Sequence, residues 1–464
     1  MKMLTGRHTF AASAANAVTR RLAIAVLLGT YAGNVLAQNV TSAPFVPDSG
    51  TITIRCGKLI DGVQDEPRSN QTVVIENGRF AAIGATTPDV DLDLSDYTCL
   101  PGLIDTHTHI AEPAETADLS VFYTLTAEAN QAAARRNAEI TLAAGFTTVR
   151  NLGAYLGWSG RVLRDHINSG EVAGPRVQTA GFYLTIPGGG GDLVIPGHDK
   201  SEIPSRVRMG IARGPDEFRR KAEAAVAGGA DVLKVLASGA VLAFGGVPGA
   251  PEMTPEELRA VVEVGHAAGL KITAHAHGAQ SIKDAIGAGV DSIEHASLAD
   301  DEAIRMALDN AVAFSMDVYN GNYIATVGRE EGWPDEFIRK NDETTEAQRQ
   351  VFEKAYAAGV AISFGTDSGV YPHGDNAKQF EVMVQRSMTP MDAIKAATSV
   401  AAEVIGWDES VGSVTVGKYG DLIAVRGNPL EDISALQDVA VVVKGGLIFR
   451  AHAEDAGWWL YPPQ

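Results

Sequence analysis

The sequence predicts an α/β protein: a (β/α)8 (TIM) barrel carrying a small β-sandwich domain formed from both chain ends. Three observations predict it. Between about residues 101 and 411, short apolar strands alternate with Ala-rich helical segments, eight times over. The flanking stretches alternate apolar and polar residues around Gly-rich turns, the pattern of half-exposed strands. Finally, 49 glycines and only 6% aromatics in 464 residues suit many tight strand–helix turns, while 45% hydrophobic and 20% charged residues exclude disordered and fibrous classes.

Taken in order, residues 1–37 are read as a cleavable signal peptide. Lys2, Arg7, Arg20 and Arg21 precede an apolar run from Leu22 to Ala37, which ends in small residues ahead of Gln38. The run is short for a membrane span and contains Gly and Asn. The expectation is therefore an exported protein, periplasmic or secreted, with no stable membrane anchor after cleavage near Ala37. Loss of those four basic residues takes the net charge from −19 to −23. A chain this acidic lacks the electrostatic footprint of a nucleic-acid binder.

Residues 38–100 form the first part of the sandwich, with Asn77-Gly78 marking a hairpin turn. Cys56 and Cys99 fall in this region. Export permits a disulfide between them, and two separate buried thiols fit as well; neither has metal-site spacing. The barrel spans 101–411. Its strands are read in LPGLIDTHTH, AGFTTVRNLG, PRVQTAGFYL, ADVLKVLASG, LKITAHAHG, DSIEHAS, AVAFSMDVY and VAISFGTDSG. Residues 412–464, with SVTVGKYGDLIAV and DVAVVVKGGLIFR, complete the sandwich.

Chemistry-bearing residues gather at the ends of those strands, where barrel active sites form. His107 and His109 close the first, Lys234 lies in the fourth, His275 and His277 end the fifth, His295 the sixth and Asp367 the eighth. Alternate strand residues share a face, so each His pair can point the same way. Imidazole and carboxylate donors of this kind suit zinc or a similar divalent ion. Singly, an HxH pair or an apolar-strand lysine carries little weight; jointly, seven residues at strand ends point to a metal site. Tyr319 and His373 are weaker substrate-contact candidates. Arg150, Arg161 and Arg164 offer a carboxylate clamp or, more simply, surface ion pairs.

PGLIDTHTH, Lys234, His275, His295 and Asp367 together resemble the amidohydrolase superfamily over essentially the whole chain after residue 37. TTVRNLG, KVLASG, AHAHG, IEHAS and GTDSGVYPHG are similar to its imidazolonepropionase-like and Xaa-Pro-dipeptidase-like group. That group holds metal-dependent carboxypeptidases, dipeptidases and amidohydrolases of ochratoxin-type amides. The resemblance implies two divalent ions, with His107, His109 and Asp367 on one and His275 and His295 on the other, bridged by an N6-carboxylated Lys234. It further implies attack by a metal-bridging hydroxide, with Asp367 as proton shuttle. His277 is left for substrate or oxyanion contact, or for a structural role. Homo-oligomers are common in this superfamily.

Physical chemistry agrees with this. Burial among Val232, Leu233, Val235 and Leu236 favours a neutral Lys234 amine able to add carbon dioxide. A mononuclear deaminase-type site has no need of that lysine. The sequence departs from the group at Pro187–Asp192, PGGGGD, where relatives often carry GGHG. Gly190 stands at the histidine position, which fits a widened pocket for a bulkier acyl group, or simply a mobile loop. The resulting expectation is hydrolysis of an N-acyl amino acid or dipeptide. The alternatives are a cyclic-amide or imidazolone-type hydrolase, a deaminase, or a catalytically inactive metal-binding protein.

Overall fold

The computed structural model describes residues 50–85, 89–113, 117–453 and 457–458. The leader expected over 1–37 lies outside the described residues.

The chain opens with an antiparallel hairpin of β1 (Thr51–Leu59) and β2 (Arg68–Glu76), continued by β3 (Arg79–Ala85) and β4 (Leu92–Pro101). Eight parallel strands follow: β5 (Leu103–Thr108), β6 (Phe146–Asn151), β7 (Arg176–Thr179), β8 (Val232–Leu236), β9 (Lys271–Gly278), β10 (Ser292–Leu298), β11 (Ala313–Ser315) and β12 (Ile362–Ser363). They are the eight anticipated segments. β5, β6 and β7 pair in one sheet, and β8 to β12 in a second. Single parallel bridges, Thr108 with Ser368 and Leu184 with Val235, lie where the two sheets adjoin.

The helices between these strands are specified locally. Thr254 and Glu257 form a capping box with Pro255 in the first turn of the helix Pro255–Ala267. Asp300 caps Asp301–Asp309, and left-handed Gly289 and Gly359 end their helices. Strands β5 to β8 are buried along their whole length, as expected of parallel strands covered by helices.

The chain returns through β13 (Leu422–Arg426), β14 (Val439–Lys444), β15 (Leu447–Ala453) and β16 (Gly457–Trp458). These join β1–β4 in the order β16-β15-β14-β13-β4-β1-β2-β3. Where a two-sheet sandwich is predicted, the hydrogen bonding is thus one continuous eight-stranded ladder. It curls because the β2–β3 hairpin folds back onto residues 417–420, with Phe80 N donating to Lys418 O and Gly420 N to Gly78 O. The Cys56–Cys99 pair is a disulfide joining β1 to β4, which decides between the two readings left open above.

Candidate metal centre

The parallel strands deliver their polar residues to one cavity. His107 and Lys234 lie within strands, His109 just past β5, and Asp367 four residues beyond β12. Asp367 (φ 58°) and His295 (φ 70°) both adopt left-handed backbone, a conformation that costs energy in non-glycine residues and turns each side chain out of its strand direction. At Gly365 a Cβ would meet Ser315 Oγ at 2.0 Å and His107 Cβ at 3.0 Å, so only glycine lets the Asp367 segment approach β5 this closely.

Three overlapping donor groups result: His107, His109 and Asp367; His275, His277 and His295; and His295, Asp317 and Asp367. Asp367 Oδ1 lies 3.0 Å from His109 Nε2 and 3.3 Å from His107 Nε2. The donor atoms of His275, His277 and His295 likewise fall within 4.8 Å of one another. Lys234 Nζ is buried without a hydrogen-bond partner among the described residues. Burial, as the leading cause, draws its pKa down to about 8. The lowered pKa makes the neutral amine, the form that adds carbon dioxide, more accessible than in a free lysine. Burial, with the neighbouring Lys234 charge, also pulls His107 down to about 4, and burial with the facing His295 pulls His277 to about 3. Burial favours the neutral ring at His107, His275 and His277, whereas at His295 it is outweighed by the Asp317 carboxylate, which raises the pKa. Imidazoles, an unpartnered amine and a carboxylate together fit a pair of divalent ions.

Other side chains hold these groups in place. Arg150, fully buried, donates to Glu294 Oε1 at 2.8 Å and to Thr106 O at 2.6 Å. Glu294 Oε2 lies 2.9 Å from His107 Nδ1, close in distance though short of hydrogen-bond geometry. Burial pushes Glu294 upward, but Arg150 and His107 outweigh it and hold the carboxyl well below its usual range. Asp105 accepts from Thr366 Oγ1 at 2.6 Å and Asn376 Nδ2 at 2.7 Å, tying the HxH strand to the Asp367 segment. Asp317 meets His295 Nδ1 at 2.9 Å and accepts from Gln348 Nε2 at 2.7 Å. Asn320 Nδ2 donates to both Asp317 Oδ2 and Asp367 Oδ2, each at 3.1 Å. Such partners orient metal-binding side chains and fix imidazole tautomers.

Several sequence expectations need correction. Tyr319 and His373 are not among the residues lining the cavity. Tyr319 packs edge-on against Tyr371, and His373 is buried in the loop beyond Asp367. Arg150 is neither clamp nor surface pair but the buried partner of Glu294; Arg164 pairs with Asp231 and Arg161 donates to Gly228 O, both away from the cavity. The glycine loop is pinned rather than loose. Asp192 accepts from Gly188 N and from Arg208 at 2.7 and 2.6 Å, while Gly190 N donates to Glu252 Oε2 at 2.8 Å. Gly190 and Gly191 do form part of the cavity wall.

Sequence reading missed Glu294, Asp317, Asn320, Gln348 and Glu112. Glu294 directly precedes His295, and Asp317 and Asn320 follow β11 within five residues, which is the available signal. Glu112 borders the cavity and takes N–H bonds from Tyr155 and Leu156 at 2.5 and 3.0 Å; burial nonetheless raises its pKa to about 7. The cavity has a volume of about 180 Å³. Its floor is the histidine, lysine and aspartate cluster. Leu119, Phe122, Leu236, Val241, Leu242 and Ile324 give it an apolar wall.

The sequence model described as Amidohydrolase family matches residues 98–448. An ochratoxinase from Aspergillus niger is 31% identical over 445 residues, covering 90% of this chain and 91% of the relative. A crystal structure of a Xaa-Pro dipeptidase with methionine bound in its active site is 36% identical, with a TM-score of 0.80 over 86% of this chain and 100% of that one. The crystal structure of the A. niger ochratoxinase is 28% identical, with a TM-score of 0.78 over 89% of this chain and 98% of that one.

Proposed function

The chain belongs to the amidohydrolase family and is a hydrolase acting on C–N bonds, and from that premise we propose that it cleaves an amino acid from an N-acyl amino acid or dipeptide, ochratoxin-type amides included. The observation that carries this is a cavity whose floor gathers candidate metal donors and whose wall is apolar: the floor suits amide hydrolysis, and the wall suits a bulky acyl group. The likeness to an ochratoxinase and a Xaa-Pro dipeptidase supports the same substrate class. We read the two parallel sheets as one (β/α)8 barrel and the chain as exported through its leader.

His107, His109 and Asp367 would hold one divalent ion and His275 and His295 a second, zinc by ligand type, with Lys234 serving both as its carbamate. When bound, such ions supply Lewis acidity and lower the pKa of water. The chain's own residues do the rest. Asp367 takes a proton from the attacking water and delivers it to the nitrogen as the C–N bond breaks, acting first as base and then as acid. Ser297 Oγ lies 2.8 Å from His277 Nδ1. If the hydroxyl donates there, Nε2–H is left to face the substrate carbonyl oxygen, and with a pKa near 3 the ring stays neutral. Asp317 holds His295 against rotation through its hydrogen bond, and Glu294 places its negative charge beside His107.

The test is amino-acid release by zinc-loaded protein lacking residues 1–37. The substrate panel includes ochratoxin A and varies the C-terminal residue through Phe, Leu, Pro, Arg and Lys. Asp367→Asn should lower kcat by about 10² to 10⁴, and Lys234→Ala should abolish turnover. No release with metal confirmed bound would reject the amidase reading in favour of cyclic amides or deamination.

A further inference from the structure

Asn320 has one half of its amide committed and the other half free. Its Nδ2 donates to Asp317 Oδ2 and Asp367 Oδ2, both at 3.1 Å. The opposite flip would set Oδ1 against two carboxylates, so the orientation follows from charge alone. Oδ1 is then a buried acceptor without a partner among the described residues, in a side chain that lines the cavity and is 6% exposed. An unsatisfied buried acceptor costs free energy and calls for an explanation.

The residue is also rigidly mounted. It begins the helix Asn320–Tyr323, and Asn341 Nδ2 donates to Gly321 O at 3.1 Å. A Cβ at Gly321 would meet Thr345 Oγ1 at 2.3 Å, so the turn sits tight against the helix Asp335–Ala358. The backbone that carries Asn320 is thus fixed, and the two carboxylate bonds orient its side chain.

We infer that Asn320 is the group that reads the scissile nitrogen: it holds Asp367 through Nδ2 and accepts the N–H of the departing amine through Oδ1. This rests on the amide-hydrolase reading above. As the C–N bond breaks, the proton on Asp367 passes to nitrogen, and the amine's N–H points at Oδ1. The acceptor is matched to an amine leaving group and has no counterpart interaction with an alkoxide. The Asp317 bond links the same side chain to His295, so one amide couples the proton shuttle to the brace of a metal-binding histidine.

The experiment compares Asn320→Ala with wild type on an N-acyl amino acid and on the ester of identical shape, with metal content measured in parallel. The expected result is unchanged metal content, KM within about threefold, kcat for the amide down about 10²-fold and kcat for the ester down only about 10-fold. Asn320→Asp retains an acceptor and should return the amide-to-ester ratio towards wild type while both rates stay low. Equal losses on the two substrates, a change confined to KM, or loss of metal would overturn the assignment. A wild type that cleaves neither substrate with metal bound sinks the hydrolase reading, and this one with it. A wild type that cleaves both, with an unchanged ratio in the variant, overturns only the role of Asn320.

Discussion

The parallel strands and the mixed sheet built from the chain ends each have a buried core, yet the two interiors differ in kind. The sheet's core consists of Ile54, Val73, Ile75, Phe80, Leu94, Leu422, Val441, Val443 and similar apolar residues, fastened by the Cys56–Cys99 bridge. Along the parallel strands Asp105, His107, Arg150, Lys234, His275 and Glu294 are buried as deeply. Buried charge destabilises unless it is paired, so a fold that retains this much of it is using it. The comparison teaches that one region is built for stability, whereas the other spends stability on a site.

The largest effect expected from breaking this contrast is at Arg150. Arg150→Met strands Glu294 as an unpaired buried carboxylate, which should cost about 3–5 kcal/mol of stability and lower activity through His107. Thermal denaturation with and without metal checks it. A fully stable variant would show that the pairing is not needed. In the sheet, replacing Cys56 and Cys99 together by Ser opens a loop of 43 residues and should cost about 4 kcal/mol. Turnover per folded molecule should stay near wild type, because the bridge lies outside the site; a selective loss of kcat would blur the division of labour.

The smallest effect tests the sheet's own exception. Lys444, on β14, donates to Gly174 O at 2.5 Å, and burial, reinforced by Arg176, brings its pKa down to about 7. The folded-state pKa lies below the unfolded one, so the cost of burying the charge is full below pH 7 and fades as pH rises towards 10. Lys444→Met should therefore gain stability relative to wild type at pH 6, and that gain should shrink at pH 9. Loss of the bond to Gly174 O limits the net change at high pH to about 1 kcal/mol. Denaturant midpoints at the two pH values read the difference, and an advantage growing with pH would contradict the assignment.

Much of the site was legible because its chemistry sits in short local patterns. His107 and His109 share a strand face by period, and Lys234 stands out as a cation inside an apolar run with no adjacent acid. Tyr319 and His373 do not line the cavity, since proximity in sequence to a strand end says nothing about which way a loop turns. Arg150 misled for a similar reason: its partner Glu294 is 144 residues away, and no local pattern links them.

By itself the sequence determined the α/β class, the eight strand segments and the candidate donor residues at their ends, because periodicity, capping and turn signals act within a few residues. The continuous sheet shared by the chain ends, the Cys56–Cys99 bond, the pinned glycine loop and the Asn320 link between Asp317 and Asp367 were decided only by tertiary structure. Each depends on which distant backbone segments are packed together and on which buried donors are left to find acceptors, and that is a property of the whole fold.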